Sequence, residues 1–333
     1  AASFTGIATK LSSAAAIVID TTAPTAPGVD ALTTATVPPT ITGTNPTLGT
    51  GEVLTVTVNG ATYEVTPTGT TWSLDLATAA PASGTLGTFT DGTFSVTATV
   101  TDEVGNAESD TTANELVIDT TGGVAPTVDA LIANSTTPTI TGTATLGDGE
   151  ALSVTVSGAT YSVTPADGVW SVDLATDTPT SGALVALVDG DTYSITATLT
   201  DSANNEVNDT TSGELVIDTT APTILAVTSA TPDGSYGAGQ AITITIQMSE
   251  AVTVDTTLGN PTLDLDTTPA RSATFTSAAG NLLTFTYTSQ AGDNATDLDA
   301  TALNLNGAVI EDAAGNAASF TGIATKLSSA AAI

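Results

Sequence analysis

Apolar and polar residues alternate in short runs along most of the chain, a pattern that predicts β-strands. In the segment "VLTVTV" at 53–58, Leu54, Val56 and Val58 face one side of a strand and the threonines between them face the other. Gly, Asn, Asp and Pro separate the runs, as they do at turns. No segment shows a convincing helical period, so the sequence predicts an all-β fold.

Two-residue turns are predicted where two alternating runs nearly meet. Asn59-Gly60 and Ser157-Gly158 occupy such places and favour tight hairpins. Asp-Gly pairs at 91–92, 167–168 and 189–190 predict further turns. Six or seven short strands in roughly 100 residues is the pattern of a β-sandwich with immunoglobulin-like architecture.

The strand pattern repeats along the chain. "VIDTT" occurs at 18–22, 117–121 and 216–220, at a spacing of 99 residues. The first two repeats also share "PTITGT", and "WSLDLAT" in the first corresponds to "WSVDLAT" in the second. Trp72 and Trp170 each open an alternating run after a turn, so we expect both in the core and not exposed for stacking on sugars.

The same seventeen residues, "AASFTGIATKLSSAAAI", stand at 1–17 and at 317–333. One hypothesis is that each subunit passes this segment to a neighbour. The other is that the chain is a window of a longer repeating protein. A further "VIDTT" would follow at 334–338, so the second hypothesis accounts for both ends with no added assumption.

The repeats predict tandem immunoglobulin-like β-sandwich modules arranged end to end. The expected segments are the final strands of a preceding third-type module at 1–17, a linker at 18–22, and modules at 23–119, 120–218 and 219–333. The third module is longer than the other two and is expected to lack the end of its last strand.

Charge narrows the range of functions. The chain has 35 acidic and three basic residues, a net charge of −32, no Cys and no His. Nucleic acid is therefore not an expected partner, and thiol, Ser–His and ordinary zinc chemistry are excluded. No run of 18 apolar residues occurs, so no membrane insertion is expected. Hydrophobic residues make up 41% of the chain, which argues against disorder.

One acidic motif recurs in all three modules. "TDEVGN", "TDSANN" and "EDAAGN" each place an Asp four residues before an Asn. If the last strand runs toward the exit of its module, the loop before it lies at the entry end. The pairs concerned are Asp102 with Asn106, Asp201 with Asn205, and Asp312 with Asn316.

Other acids are predicted at the exit ends and in the linkers. The turn after "PTITGT" contributes Glu52 in the first module and Asp148 and Glu150 in the second. The Asp-Gly turns contribute Asp91, Asp189 and Asp191, and the linkers contribute Asp20, Asp119 and Asp218. Every junction would then collect carboxylates from both sides; the first internal one would join Glu52, Asp91, Asp119 and Asp201, with the Asn205 amide oxygen in reach. Ca²⁺ binds six to eight oxygens in flexible geometry and would neutralise such a cluster. The alternative is that Asp and Asn only favour turns.

The third module adds Asp293, Asp297 and Asp299 in "GDNATDLDA", and Glu250 in "MSEAV". Two carboxylates such as Asp297 and Asp299 could serve as the catalytic acid and base of a glycosidase. No group of aromatic residues accompanies them in the sequence, so no enzymatic activity is expected.

Nearly the whole chain resembles the tandem bacterial immunoglobulin-like repeats of giant biofilm and RTX-type adhesins of Gram-negative bacteria. The resemblance rests on "PTITGT", "VTVNGATYEVTP", "WSLDLA", "TATVTDEVGN" and "LVIDTT", and in the third module on "SATPDGSYGAGQAITITIQMSEAVTV" and "GAVIEDAAGN". It implies a secreted, cell-surface extender that calcium rigidifies at its junctions. Asp102, Asp201 and Asp312 match the family's D-x-x-G-N loop, although Asn204 stands where Gly is usual.

The expected function is therefore a stalk or fibre whose partners are the neighbouring modules of the same long chain. Two alternatives remain open at this point. One is a filament or surface-layer subunit that is completed by strand donation, and the other is a module that itself binds a glycan.

Overall fold

The computed structural model describes residues 19–232 and 234–323. These residues form short strands in several sheets with no α-helix, which confirms the predicted all-β class. The duplicated segment at 1–17 lies outside the described residues. Contacts divide the chain into two compact units. The first holds the described residues up to Gly123 with Gly147–Glu150 and Leu199–Val207, and the second holds the remainder.

The first module is a β-sandwich within the first unit. Its strands form the sheets β1-β3-β6, β10-β9-β4-β5-β7 and β2-β11-β8, and side chains from all three share one core. The strands are β1 (Gly28–Val29), β2 (Leu32–Thr34), β3 (Thr40–Thr44), β4 (Val53–Val58), β5 (Ala61–Val65), β6 (Thr71–Asp75), β7 (Ser83–Gly84), β8 (Gly92–Phe94), β9 (Val96–Thr101), β10 (Ala107–Ser109) and β11 (Leu116–Ile118).

Two pairings fix the direction of the strands in this module. β2 runs parallel to β11, with Leu32 opposite Leu116. β4 runs antiparallel to β9, with Val53 opposite Thr101. The start of β4 therefore lies at the end of the module where β9 finishes, next to the loop that carries Asp102.

The second module repeats this pattern around its own core. β12 is parallel to β21, β13 pairs with β16, and β15 pairs with both β14 and β17. The strands are β12 (Leu131–Ala133), β13 (Thr139–Thr143), β14 (Ala151–Val156), β15 (Ala159–Val163), β16 (Val169–Asp173), β17 (Ser181–Gly182), β18 (Thr192–Tyr193), β19 (Ile195–Thr200), β20 (Glu206–Asn208) and β21 (Leu215–Ile217).

The third module has a different arrangement. Six of its strands form one sheet in the order β22-β23-β27-β26-β25-β28, and β24 pairs with β29 above a third core. The strands are β22 (Ile224–Ser229), β23 (Ala241–Met248), β24 (Thr253–Asp255), β25 (Thr262–Leu265), β26 (Arg271–Ala279), β27 (Leu282–Thr288), β28 (Ala300–Asn304) and β29 (Val309–Glu311).

Both tryptophans lie in the core, as predicted. Trp72 is 2% exposed and Trp170 is 1% exposed, so neither can stack on a sugar. Each indole N–H donates to a backbone carbonyl, from Trp72 Nε1 to Gly28 O at 3.1 Å and from Trp170 Nε1 to Thr127 O at 3.0 Å. The hypothesis that an exposed tryptophan binds glycan is therefore wrong.

The predicted hairpin turns are also present. Asn59 and Gly60 have φ of 43° and 87°, and Ser157 and Gly158 have φ of 44° and 85°. Two successive residues with positive φ are the mark of a type I′ turn, whose twist matches that of the flanking strands.

Candidate functional site

The recurring Asp-to-Asn loop closes on its own aspartate. Asp201 Oδ1 accepts hydrogen bonds from the backbone N–H groups of Ala203 at 2.8 Å and Asn205 at 2.9 Å, and its Oδ2 accepts from Asn205 Nδ2 at 2.8 Å. The Asn205 amide, followed by backbone donors, lowers the pKa of Asp201 against the opposing effect of desolvation. Asp102 and Asp312 have corresponding bonds in their loops.

The residue before the Asn needs a left-handed backbone. Gly105 and Gly315 have φ of 94° and 85°, and Asn204 takes the same place with φ of 65°. Asn tolerates this conformation better than most residues that carry a side chain. The departure of the second module from the D-x-x-G-N pattern therefore leaves the loop intact.

The Asn side chain of each loop also donates a hydrogen bond to a linker. Asn106 Nδ2 donates to Asp20 O at 3.2 Å, Asn205 Nδ2 to Asp119 O at 2.9 Å, and Asn316 Nδ2 to Asp218 O at 2.7 Å. The sequence suggested these amides as oxygen ligands for a metal. In the structure their nitrogen joins the loop of one module to the linker that precedes it, a role that spacing alone did not indicate.

The two threonines of the "VIDTT" segments at 117–121 and 216–220 contact the module that precedes the linker. Asp91 Oδ1 accepts from Thr120 N at 2.9 Å and Thr120 Oγ1 at 2.7 Å, and its Oδ2 accepts from Thr121 Oγ1 at 2.7 Å. Asp189 accepts from Thr219 N and Thr220 Oγ1 at 2.5 and 2.6 Å. The threonine hydroxyls are the leading cause of the lowered pKa of both aspartates.

Three carboxylates converge where the 218–220 linker meets the third module. Asp218, Glu250 and Asp312 each offer one carboxylate oxygen, and these three oxygens lie within 4.8 Å of one another. Asp312 is 4% exposed, and the other two are half-buried. Desolvation, and then the charges of Asp218, Asp312 and Asp189, raise the pKa of Glu250. The raised pKa indicates that negative charge is poorly compensated here.

No basic side chain in the described part of the chain neutralises this group. Arg271 is bonded to Asp293, with Nε 2.9 Å from Oδ1, and the lysines at 10 and 326 lie outside the described residues. Within residues 19–232 and 234–323, the set at Asp218 is the one group of three or more carboxylates close enough to share a metal ion.

The predicted position of Glu52, Asp148 and Glu150 was wrong. Glu52 immediately precedes β4 and accepts from Gly49 N at 2.7 Å, and a Cβ at neighbouring Gly51 would meet Glu103. The turn therefore lies at the entry end of the first module. The prediction treated the turn after "PTITGT" as the turn that follows the first strand, but β2 precedes that segment. β4, which follows the turn, starts at the end where β9 finishes, so the turn lies at the entry end, while the loops that carry Asp91 and Asp102 keep their predicted ends.

The same correction applies in the second module. Glu150 accepts from Gly147 N at 2.6 Å and lies against Gly123 of the linker, which is the entry side. Asp148 is exposed in that turn. Asp191 bonds to Ile217 through its backbone, and its side chain is exposed. The first internal junction thus gathers Asp91, Asp119, Asp201 and Glu150, without Glu52.

Two buried glutamates were not anticipated. Glu115 and Glu214 are each 6% exposed, and their Oε2 atoms accept from Val96 N at 3.1 Å and Ile195 N at 3.0 Å. They precede β11 and β21 and bond to the first residues of β9 and β19, which belong to another sheet of the same module. Their place in "ELVIDTT", which is shared by both modules, was the signal available in the sequence.

Glu250 gives the third module a testable pH dependence. A carboxyl group with a raised pKa binds its proton more tightly in the folded state, so stability rises as the pH falls from neutral toward the ordinary Glu value of 4.5. In chelator, the thermal midpoint of the third module should therefore be higher at about pH 5 than at about pH 7. Below the ordinary Asp value of 3.8, carboxylates with lowered pKa such as Asp293 become protonated and stability falls.

Glu250→Gln is the control for that experiment, because it removes the titrating group while keeping its shape. Scanning calorimetry at the two pH values should show no gain in this variant. An equal gain in the variant would mean that Glu250 is not responsible.

Comparisons with known proteins give no family for this chain. No family model and no curated protein matches it. Among solved structures, Drosophila OTK extracellular domains 3–5 align at 11% identity over 87% of this chain and 93% of that one, with a TM-score of 0.24. The Bacteroides ovatus mixed-linkage glucan utilization locus protein SGBP-B, solved with a heptasaccharide, aligns at 14% identity over 92% of this chain and 65% of its own, with a TM-score of 0.20.

Dimeric latent PorU from Porphyromonas gingivalis aligns at 12% identity over 84% of this chain and 32% of its own, with a TM-score of 0.18. At such TM-scores the likenesses say nothing about what this chain binds. Among the described residues, no helix has the length and hydrophobicity needed to cross a membrane.

Proposed function

We propose that the chain is an extender region of a secreted, cell-surface adhesin, and that calcium rigidifies the joint between its second and third modules. The repeat of the linker contacts supports a structural role. Each described linker is bonded through its aspartate carbonyl to the module that follows. The 120–121 and 219–220 threonines also bond to the module before. The linkers are thus built to be held at both ends.

The observation that carries the calcium proposal is the convergence of Asp218, Glu250 and Asp312. All three offer hard oxygen ligands, and the chain has no Cys thiolate and no His imidazole. Three carboxylates are fewer than the six to eight oxygens that Ca²⁺ takes, so backbone carbonyls and water would supply the others. A bound Ca²⁺ would cancel the mutual repulsion of the carboxylates and tie the linker residue Asp218 to the third module.

The first internal junction does not have such a group among the described residues. Asp91 is bonded there to the linker threonines Thr120 and Thr121, and the Asn205 amide links Asp201 to the carbonyl of Asp119. The linker also packs closely there, because a Cβ at Gly123 would lie 2.3 Å from Glu150 Oε1 and one at Gly122 would lie 2.3 Å from Val207 Cγ2. We therefore assign hydrogen bonds and packing, and not calcium, as the main support of the first junction.

Small-angle X-ray scattering of the whole chain, with calcium and then with excess chelator, tests the proposal. We expect the maximum dimension to fall and the profile to become that of a more flexible chain when calcium is removed. Glu250→Gln should show the flexible profile even with calcium, whereas Glu52→Gln, which changes a carboxylate at a different place, should behave like the parent. Identical profiles with and without calcium would contradict the proposed role.

A further inference from the structure

The third module contains a cavity that the extender role does not use. Its volume is about 310 Å³, at the small end of the range for ligand pockets. Ile242, Tyr287 and Leu298, each 4% exposed, form an apolar part of its lining. The half-buried ring of Tyr236 lines it as well.

A buried polar network holds one wall of this cavity in place. The side chain of Asp293 is 6% exposed; its Oδ1 accepts from Arg271 Nε at 2.9 Å, and its Oδ2 accepts from Tyr287 Oη and from Gln290 N. The only arginine of the chain is thus used here. Because the positive charge of Arg271 already compensates the negative charge of Asp293, this carboxylate forms part of the cavity wall and is not an open site for a cation.

Other polar groups of the lining have hydrogen-bonding capacity to spare. The Asn294 backbone pairs with Thr268 in both directions, at 2.8 and 3.0 Å, which fixes its position. Its side-chain amide and the hydroxyls of Ser235 and Thr296 make no hydrogen bond within the described residues, although all three residues line the cavity. Asp297, next to Thr296, buries an Oδ1 atom that also has no partner in this part of the chain.

These features together favour a small, uncharged, hydroxylated ligand. The half-buried ring of Tyr236 can present its apolar face to the C–H face of a sugar ring, while amide and hydroxyl groups bond to the hydroxyls of the sugar. An anionic ligand would meet the field of a chain with a net charge of −32. The geometry points to a binding site for one neutral sugar ring, a monosaccharide or the end of a neutral glycan, in the third module.

The position of the site explains why it is confined to one module. Most of its polar lining lies at 234–236 and 293–296, within "PDGSYGAGQ" and "GDNATDLDA", and neither segment occurs in the first two modules. Tyr236 and Tyr287 line the cavity together with Asp293, whereas its lining does not include Asp297 or Asp299. The inference does not depend on calcium at the junction.

Saturation-transfer NMR on the whole chain, with glucose, galactose, mannose and N-acetylglucosamine as separate probes, tests this site. We expect at least one sugar to bind with a Kd of about 1 mM. Tyr236→Ala and Asn294→Ala should each weaken that binding roughly tenfold. Leu258→Ala, at a residue of the same module that is 82% exposed and outside the cavity, should leave it unchanged.

Thermal unfolding of each variant checks that the third module is still folded, and Asn294→Ala changes only an exposed amide if Tyr236→Ala proves unstable. Absence of saturation transfer from all four sugars would overturn the assignment. So would sugar binding that neither cavity variant weakens, or binding of tetramethylammonium, used as a cationic probe, in place of any sugar.

Discussion

Replacing Gly142 by alanine should destabilise the second module by about 3 kcal/mol. A Cβ at this position would lie 2.0 Å from Thr127 O and 2.5 Å from Trp170 Cζ2, distances that real Cβ contacts do not reach. The indole cannot easily move away, because it is 1% exposed and its N–H is bonded to the same Thr127 carbonyl. The strand and the tryptophan must therefore separate, at the expense of core packing.

Denaturant unfolding followed by fluorescence measures this effect. In a Trp72→Phe background the signal comes from Trp170 alone, so the second module is observed by itself. Val188→Ala is the control, because it shortens a side chain of the same module that is 54% exposed and outside the core. If Gly142→Ala shifted the midpoint no more than this control does, the close contact of the new methyl group with Thr127 and Trp170 would not reduce the stability of the module.

The second large effect is expected from Asp312→Ala. Asp312 is 4% exposed, and its carboxylate accepts from Ala314 N at 2.8 Å, Asn316 N at 2.9 Å and Asn316 Nδ2 at 2.9 Å. Truncation leaves these donors without their acceptor in a place that water reaches poorly. We expect a loss of about 3 kcal/mol from the third module in calorimetry with calcium present.

Asn316→Ala distinguishes the contribution of the linker contact from that of the Asp312 carboxylate. This substitution keeps the Asp312 carboxylate and its backbone donors but removes two hydrogen bonds of the amide, to Asp218 O and to Asp312 Oδ2, so a loss of about 2 kcal/mol is expected. Hydrogen exchange should show faster exchange in the linker at 218–220, with little change in the strands of the core. A large loss from Asn316→Ala together with a small one from Asp312→Ala would reverse the roles assigned to these two residues.

Much of the fold was accessible from local patterns. The alternation of "VLTVTV" gave the buried Leu54, Val56 and Val58 correctly, because the side-chain period of a strand depends only on neighbouring residues. Asn59-Gly60 and the cores around Trp72 and Trp170 followed from the same local chemistry. These features do not require knowledge of which strands pair.

The predicted metal sites depended on topology, and there the sequence was insufficient. Short β2 was overlooked because a strand of three residues carries almost no periodic signal, and the omission placed Glu52 and Glu150 at the wrong ends of their modules. Asn316 was predicted to offer its side-chain oxygen to a metal, because sequence spacing does not show whether the oxygen or the nitrogen of an amide faces its neighbour. In the structure the nitrogen faces Asp218 O. Glu250 was noted, but only the folded chain brings it to Asp218 and Asp312, which lie 32 and 62 residues from it in sequence.

The most direct test of the calcium-bridged joint is anomalous diffraction from crystals of the whole chain grown with calcium. The proposal predicts a difference peak between Asp218, Glu250 and Asp312, at about 2.3–2.6 Å from a carboxylate oxygen of each residue. A map that shows these three side chains clearly and has no peak between them, under conditions that keep calcium in excess, would contradict it.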